Sequence, residues 1–276
     1  MSKSLLKSGL LALLSCLFVN TVTAQGVNNL VAITPACNVT PANNSYCTST
    51  PAAYQVQIYE MGLCTAHPYG AAKTGQTFDT ASCVVTYSDA APTAVDIAAN
   101  IGGKVGLSGT SSAPAAGVYA YPYIVMGTTF NVGGTYTSGG VVYYSTTTSS
   151  VSTSSSAYAM KTEVLNNFND STQNVCVSGS VGTLAPGGII DAFVTSTALA
   201  REPGGSTSTC ANTARVVGVM ALTSPLTVTS KTYSVVFNFN MTNAGVQWFD
   251  NADGDIAPEY FGSGPFSGYF NVLNSD

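Results

Sequence analysis

The carboxyl-terminal part of the sequence gathers four acidic residues around one turn. Asp250, Asp253 and Asp255 surround an Asp-Gly pair, and Glu259 follows. Closely spaced carboxylates supply the hard oxygen ligands that Ca²⁺ prefers. An EF-hand does not fit, because Phe249 would occupy the first ligand position, where Asp is required. We interpret these four residues as either a plain acidic turn, which is the default, or the ligands of an irregular Ca²⁺ loop.

A second candidate binding feature is a row of alternating tyrosines. Tyr119, Tyr121 and Tyr123 recur at the two-residue period of a strand, so they share one face. An exposed tyrosine face can stack on sugar rings, because each ring has a flat apolar surface and a polar tip. Packing in the core is the default interpretation of such a face. Carbohydrate binding is the alternative.

The residues that catalysis requires form no recognisable group. His67 is the only histidine, and its setting, Thr65-Ala-His-Pro-Tyr69, predicts a surface or loop position. The chain has no G-x-S-x-G nucleophile motif. A single histidine and the absence of C-x-x-C also argue against a zinc site. We therefore expect a protein that is not an enzyme, and a secreted hydrolase is the least favoured hypothesis.

Charged residues are scarce, at 8% of the 276 residues, and the formal net charge is −5. The few Lys and Arg are scattered, so the chain lacks the basic patch that binds a phosphate backbone. This composition argues against nucleic acid and anionic membrane surfaces as partners. After the amino-terminal segment, no apolar run approaches the roughly 18 residues of a transmembrane helix.

Residues 1–24 have the pattern of a secretory signal peptide. Lys3 and Lys7 precede an apolar stretch at 11–19, and Val22-Thr23-Ala24 forms a small-residue cleavage site. Lipidation at Cys16 is the alternative, although the residues after it stay apolar. Both interpretations predict export, with residues 25–276 forming the secreted or cell-surface domain.

Six cysteines follow the predicted signal peptide, and an even number in an oxidising compartment predicts three disulfides. Their order along the chain suggests pairing between neighbours. The predicted pairs are Cys37–Cys47, Cys64–Cys83 and Cys176–Cys210. The middle pair has the best support, because both of its cysteines border strand-like runs.

The dominant hydrophobic period is two, which predicts strands. In the clearest case, residues 233–241, Tyr, Val, Phe, Phe and Met share one face, while Ser234, Asn238 and Asn240 face the other way. From Tyr54 the apolar phase slips, which predicts a bulge near Tyr59–Glu60. Residues 160–168 fit either a short helix or a strand. Further strands are predicted at 83–87, 94–97, 118–126, 128–132, 141–144, 189–195, 215–222 and 268–273.

Many short strands separated by Gly/Pro turns predict an all-β sandwich. The Ser/Thr-rich segment 145–156 is interpreted as an exposed loop or hairpin tip in preference to a glycosylated stalk. It could also mark a boundary between two subdomains.

One segment is similar to a known family. Residues 113–121 (APAAGVYAY) resemble the "PAGxY" strand entry of transthyretin-like (prealbumin-like) sandwich domains in secreted bacterial surface proteins. Residues 54–64, 94–97 and 226–241 resemble other strands of that family. The resemblance covers about half of the predicted mature chain and implies a transthyretin-like or Ig-like sandwich, with 133–214 as a large insertion. It implies a surface or binding module without catalytic residues. Pro122 departs from the pattern and requires an edge strand or a bulge there.

These features together predict an exported, disulfide-stabilised β-sandwich that is structural or adhesive. Few charges allow copies to approach with little electrostatic repulsion, so self-association is expected. A surface glycan or protein is the other expected class of partner. The alternative function is a secreted carbohydrate-binding module, for which Ca²⁺ could be required.

Overall fold

The computed structural model describes residues 35–38, 45–168, 175–185, 188–202, 210–251, 253–264 and 266–275. The described chain is built from β-strands, with two short 3₁₀ helices at Ala98–Asn100 and Ser155–Ala157. The strands are β1 (Tyr46–Ser49), β2 (Ala53–Val56), β3 (Ile58–Cys64), β4 (Cys83–Ser88), β5 (Val95–Asp96), β6 (Thr110–Ser111), β7 (Gly117–Tyr119), β8 (Tyr121–Gly127), β9 (Thr129–Gly133), β10 (Thr135–Ser138), β11 (Val141–Ser145), β12 (Val151–Ser152), β13 (Lys161–Val164), β14 (Gly179–Ala185), β15 (Gly188–Thr195), β16 (Arg215–Leu222), β17 (Leu226–Val228), β18 (Thr232–Asn240), β19 (Val246–Phe249), β20 (Tyr260–Ser263) and β21 (Ser267–Asn274).

The largest sheet has seven strands in the order β14-β15-β16-β8-β3-β4-β6. Its described ladders are antiparallel. Strands β15, β16, β8, β3 and β4 have a partner strand on both sides. The smaller sheets are β13-β9-β2-β5, β1-β19-β20, β10-β11-β12, β18-β21 and β7-β17. The predicted all-β, sandwich-like fold with disulfides is confirmed.

The predicted bulge lies where the apolar phase slips. Strand β2 ends at Val56 and β3 begins at Ile58, and the register against β8 shifts between Ile58 and Glu60. An extra residue at this point restores the inward direction of the apolar side chains that follow. The helix alternative for residues 160–168 is wrong, because Lys161–Val164 forms strand β13 and pairs with β9.

Pro122 lies in β8, which has a neighbouring strand on each side, but at Pro122 only one of these neighbours, β3, is paired with β8. Strand β8 runs between β16 and β3, but its ladder with β16 extends only as far as Tyr123. Opposite Pro122, β3 supplies Leu63. The missing N–H of proline is tolerated because the strand is an edge at that one residue.

The central sheet is buried on both faces. On the cavity face, Ile124, Ile190 and Val216 pack against the layer formed by β9 and the β18–β21 pair. An apolar cavity of about 40 Å³ lies between these layers, lined among others by Gly218, Phe237 and Phe270.

The opposite, loop-covered face of the sheet has its own hydrophobic cluster. It contains Tyr123, Val125, Phe193 and Val219, and Tyr69 from the loop 65–82 lies in the same cluster. The loop 65–82, which connects β3 and β4, therefore forms a layer that covers this face of the sheet.

The three disulfides join Cys37 to Cys47, Cys64 to Cys83 and Cys176 to Cys210, the neighbour pairs expected from chain order. Cys64 and Cys83 are direct partners in the β3–β4 ladder. This bond closes the base of the loop 65–82, so the loop is tied covalently to the sheet that it covers.

The Ser/Thr-rich segment 145–156 belongs to a hairpin. Ser145 ends β11, and Val151–Ser152 forms β12, which pairs back onto β11. Hydroxyl groups of Thr146, Thr148 and Ser150 hydrogen-bond to one another at the tip.

The predicted signal peptide, including Cys16, lies outside the described residues. Within the described part of the chain, no helix has the length and apolar character needed to cross a bilayer.

Candidate functional site

The acidic corner, defined as Asp250, Asp253, Asp255 and Glu259, lies in the connection between β19 and β20. These strands are antiparallel neighbours, and Phe249 at the end of β19 pairs with Tyr260 at the start of β20. The backbone N–H of Glu259 donates to the Phe249 carbonyl at 2.9 Å. Closure of this connection brings the four residues together, as the sequence spacing suggested.

One carboxylate oxygen from each residue of the acidic corner lies within 4.8 Å of the others. Ca²⁺–oxygen distances are about 2.3–2.6 Å, so oxygens on opposite sides of one ion are about 5 Å apart. Asp250 is buried, Asp253 and Asp255 are exposed, and Glu259 is half-buried. These are the residues that could hold a hard divalent cation, with water or carbonyl oxygens completing the coordination.

The electrostatics of the acidic corner reflect the crowding of like charges. Burial raises the pKa of Glu259 above its ordinary value. A hydrogen bond of 2.8 Å from the Asn251 N–H opposes that rise, and the carboxylates of Asp253 and Asp250 add to it. The corner therefore disfavours a fourth negative charge unless a cation compensates.

The tyrosine row is not an exposed face. Tyr119 and Tyr123 are buried, at 5% and 1% exposure, and Tyr121 is half-buried. The Tyr123 hydroxyl donates to Glu60 at 2.5 Å, and the Tyr119 hydroxyl donates to the Ala115 carbonyl. The default interpretation, packing in the core, is what the structure shows. The exposed tyrosine face that suggested carbohydrate binding is therefore absent from the described residues.

The expectation of a surface or loop position for His67 is confirmed for the loop and contradicted for the surface. This histidine is 6% exposed and lies with Lys73 and Asp191 in what we call the ionic cluster. Its Nε2 is 3.3 Å from Asp191 Oδ2, while Lys73 Nζ lies 2.9 Å and 3.1 Å from the two oxygens of the same carboxylate. The surface assignment is wrong because the loop 65–82 folds onto the sheet instead of projecting from it.

Two separate segments of the chain position the ionic cluster. His67 and Lys73 belong to the disulfide-closed loop, whereas Asp191 lies in the enclosed strand β15. Side chains alternate along a strand, so Ile190 and Ala192 enter the cavity face while Asp191 points to the loop-covered face. His67 Nδ1 accepts a 3.1 Å hydrogen bond from the Tyr69 N–H, which places the proton of a neutral imidazole on Nε2. Nε2 lies close to Asp191 Oδ2 but makes no hydrogen bond.

Arg201 fastens the same loop from the side of the sheet. Its Nη1 donates to the Lys73 carbonyl at 2.7 Å, and its backbone N–H donates to the Gln76 carbonyl at 2.7 Å. The guanidinium carbon lies 4.5 Å from the centroid of Phe193. Burial lowers the pKa of this guanidinium, which nevertheless stays charged. Loop residue Lys73 is therefore held by its main chain as well as by its amine.

Sequence reasoning missed the ionic cluster, although two signals were present. His67 and Lys73 both fall between the paired cysteines Cys64 and Cys83, in a chain with few ionisable residues. Asp191 interrupts an otherwise apolar strand at 189–194, where a charged side chain is unusual. No local pattern indicates that these two segments meet.

A second ionic group fastens strand β13 to strand β20. Lys161 pairs with Glu163, and the Ser263 hydroxyl and its backbone N–H both donate to Glu163. The Lys161 and Glu163 side chains are 14% and 9% exposed. This group joins two strands of different sheets, which gives it a structural role.

No protein-family model, curated protein or solved structure matches this chain. The resemblance to transthyretin-like domains therefore stays a prediction from the sequence, and function is argued from the geometry of the chain.

Proposed function

We propose that the chain is an exported, non-enzymatic structural or adhesive protein of the cell surface or extracellular space, whose copies associate through the edges of strands. The observation that carries this proposal is the β18–β21 pair. Among the described strands these two pair only with each other, so each leaves one backbone edge without a strand partner.

The β18–β21 pair has the properties of an edge that invites pairing. The two strands are 9 and 8 residues long, and neither contains a charged residue or a proline. Soluble proteins ordinarily block such edges with lysine, proline, bulges or very short strands. Here a register shift between Thr232 and Ser234 affects one end only. A second copy can therefore add strands along most of this edge.

The composition of the chain favours the same function. Charged residues make up only 8% of the sequence, so neighbouring copies meet little long-range repulsion. The three disulfides suit an oxidising compartment outside the cytoplasm, where a strand-rich assembly must resist unfolding. Export, adhesion and assembly are parts of this proposal.

The test places a positive charge on the proposed edge. Asn271 is exposed on β21 and pairs with Val236 of β18, so Asn271→Lys puts a like charge on every copy at the contact. Asn100→Lys, at an exposed position in the first 3₁₀ helix, makes the same chemical change away from the pair. Purified wild type and both variants are compared by electron microscopy and analytical ultracentrifugation over a concentration series.

We expect ordered filaments or sheets from the wild type and from Asn100→Lys. We expect Asn271→Lys to need at least about tenfold more protein to assemble, equivalent to about 1.4 kcal/mol per contact. A wild type that stays monomeric at every concentration would refute assembly. Equal behaviour of the two lysine variants would refute the β18–β21 edge as the contact.

A further inference from the structure

We propose that residues 25–34 of one copy add as a strand to the open edge of β18 in a neighbouring copy. The open edge is the backbone side of residues 234–240 that faces away from β21. This inference rests on the proposed function and names its contact, which joins a terminal segment to an edge. The segment, QGVNNLVAIT, follows the predicted cleavage site and contains no charged residue and no proline. Main-chain pairing of an extended segment with a sheet edge is a common mode of recognition.

The backbone of β18 is available along this edge. Successive residues of a strand direct their N–H and C=O groups to opposite sides, so a strand with one partner leaves half of these groups outside the ladder. Residues 234–240 pair with β21, and none of their backbone groups hydrogen-bonds to any other described residue. Strand β21 is more crowded, because it also lies beside β14 and β17. The edge that a new strand can reach is therefore that of β18.

Burial decreases across the β18–β21 pair towards the open edge. Phe237 of β18 and Phe270 of β21 are direct partners, their ring centroids are 4.8 Å apart, and both line the apolar cavity. Phe270 is 5% exposed, whereas Phe237 is only half-buried. On the same face of β18, Val235 and Phe239 are half-buried and Tyr233 is 65% exposed. A further strand beside β18 would cover these apolar flanks, which favours its addition.

The segment 25–34 matches this edge in length and in pattern. It has ten residues and spans about 33 Å when extended, at about 3.3 Å per residue, and β18 has nine residues. Val27, Val31 and Ile33 fall on one face of an extended segment, and β-branched residues suit a half-buried strand. We expect that face to extend the apolar layer formed by β18 and β21.

The direction in which the described chain begins favours the edge of a neighbouring copy. Ala36 forms a parallel bridge with Thr48 of β1, so the amino-terminal end of this stretch points towards Tyr46. Asn243, which follows β18, lies in the other direction, because its N–H donates to Thr50 Oγ1. The start of the described chain therefore points away from the end of its own β18. Addition to the next copy is a heterologous contact, which produces a filament when it does not close into a ring.

Substitutions in the full chain test which face of the segment makes the contact. Val31→Asp/Ile33→Asp places two charges on the face expected to join the apolar layer. Asn28→Asp/Ala32→Asp places the same charges on the opposite face. We expect the first variant to need at least about tenfold more protein to assemble, because charges would have to be buried. The second variant should need less than about threefold more. Electron microscopy and analytical ultracentrifugation measure both.

Hydrogen exchange shows where the segment binds. A synthetic peptide of residues 25–34 is added to the Val31→Asp/Ile33→Asp variant, and a scrambled peptide is the control. We expect the first peptide to slow exchange of the amides at 234–240 by at least about tenfold, and the scrambled peptide to leave them unchanged. Amides of β15, which has partners on both sides, should exchange slowly throughout and report that the variant is folded.

The outcomes separate this inference from the proposed function. If the wild type and both double variants assemble equally, and the peptide gives no protection, this inference is refuted while assembly stands. A monomeric wild type whose 234–240 amides are slower than those of the Val31→Asp/Ile33→Asp variant would place the segment on its own β18 and refute addition to a neighbour. A monomeric wild type without that difference would refute the inference and the proposed assembly together.

Discussion

The two faces of the seven-stranded sheet are built from the same strands but differ in the side chains that they carry. The cavity face is lined by aliphatic and aromatic side chains and leaves a dry space of about 40 Å³. The loop-covered face carries the ionic cluster, has aromatic contacts such as Tyr69 on Phe193 at 4.5 Å, and is closed by a disulfide. Ile190 and Asp191 are consecutive residues of β15, and Ile190 lies on the cavity face while Asp191 lies on the loop-covered face.

The difference shows where packing is loose and where it is fixed. A 40 Å³ apolar cavity costs roughly 1 kcal/mol at about 24 cal/mol per Å³. It stays dry because it lacks the polar partners that a water needs. Polar contacts on the other face, such as Tyr123 to Glu60, restrict how far side chains can move. Added volume should therefore be tolerated on the cavity face and resisted on the loop-covered face.

The largest effect is expected from Gly62→Ala on the loop-covered face. A Cβ at this position would lie 2.5 Å from the Tyr123 ring, which is 1% exposed and held by its bond to Glu60. Overpacking of this kind costs about 1–3 kcal/mol. Urea unfolding under non-reducing conditions measures it. A loss below about 0.5 kcal/mol would contradict tight packing of this face.

The matched change on the cavity face, Gly218→Ala, should have the opposite sign. Its Cβ would meet Ile124 Cγ2 at 3.4 Å, an ordinary contact, and Gly218 lines the cavity. The new methyl group fills empty space and reduces the freedom of the unfolded chain, so we expect a gain of roughly 0.5–1 kcal/mol. The same urea series measures it. If both alanines destabilise the chain equally, the contrast between the faces is refuted.

The smallest effect concerns charge balance. In the ionic cluster the positive charge of Lys73 pairs with the carboxylate of Asp191, whereas the acidic corner gathers four carboxylates. Because burial raises the folded-state pKa of Glu259, the folded state binds this proton more tightly than the unfolded state. This contribution to stability is therefore lost as pH rises through the raised pKa. Glu259→Gln should stabilise the chain by less than about 1 kcal/mol at neutral pH, and have little effect in acid.

Calcium sharpens the Glu259 experiment. The melting temperature of wild type and Glu259→Gln is measured at neutral pH, with CaCl₂ and with chelator. If the acidic corner binds Ca²⁺, the ion stabilises the wild type and makes Glu259→Gln destabilising, because a ligand is lost. If Ca²⁺ changes neither melting temperature, the corner is an acidic turn. Asp79→Asn, at an exposed loop carboxylate, is the control.

Local sequence was sufficient for much of the fold because strands carry a period-two pattern and turns carry Gly and Pro. It located β16 and β18, and the phase slip located the bulge before Glu60. It could not separate strand from helix at residues 160–168, because a short apolar pattern there fits both periods. It also indicated the acidic corner, whose members lie within one connection.

By itself the sequence determined the all-β class, the neighbouring cysteine pairs and the low charge, since each depends on composition or on residues close along the chain. Only the tertiary structure decided that the tyrosine row is buried, that β18 and β21 lack further described strand partners, and that His67 meets Asp191. These outcomes depend on which distant segments cover a strand. Loop 65–82 and β15 are joined by packing and charge, and no periodicity in either segment encodes the other.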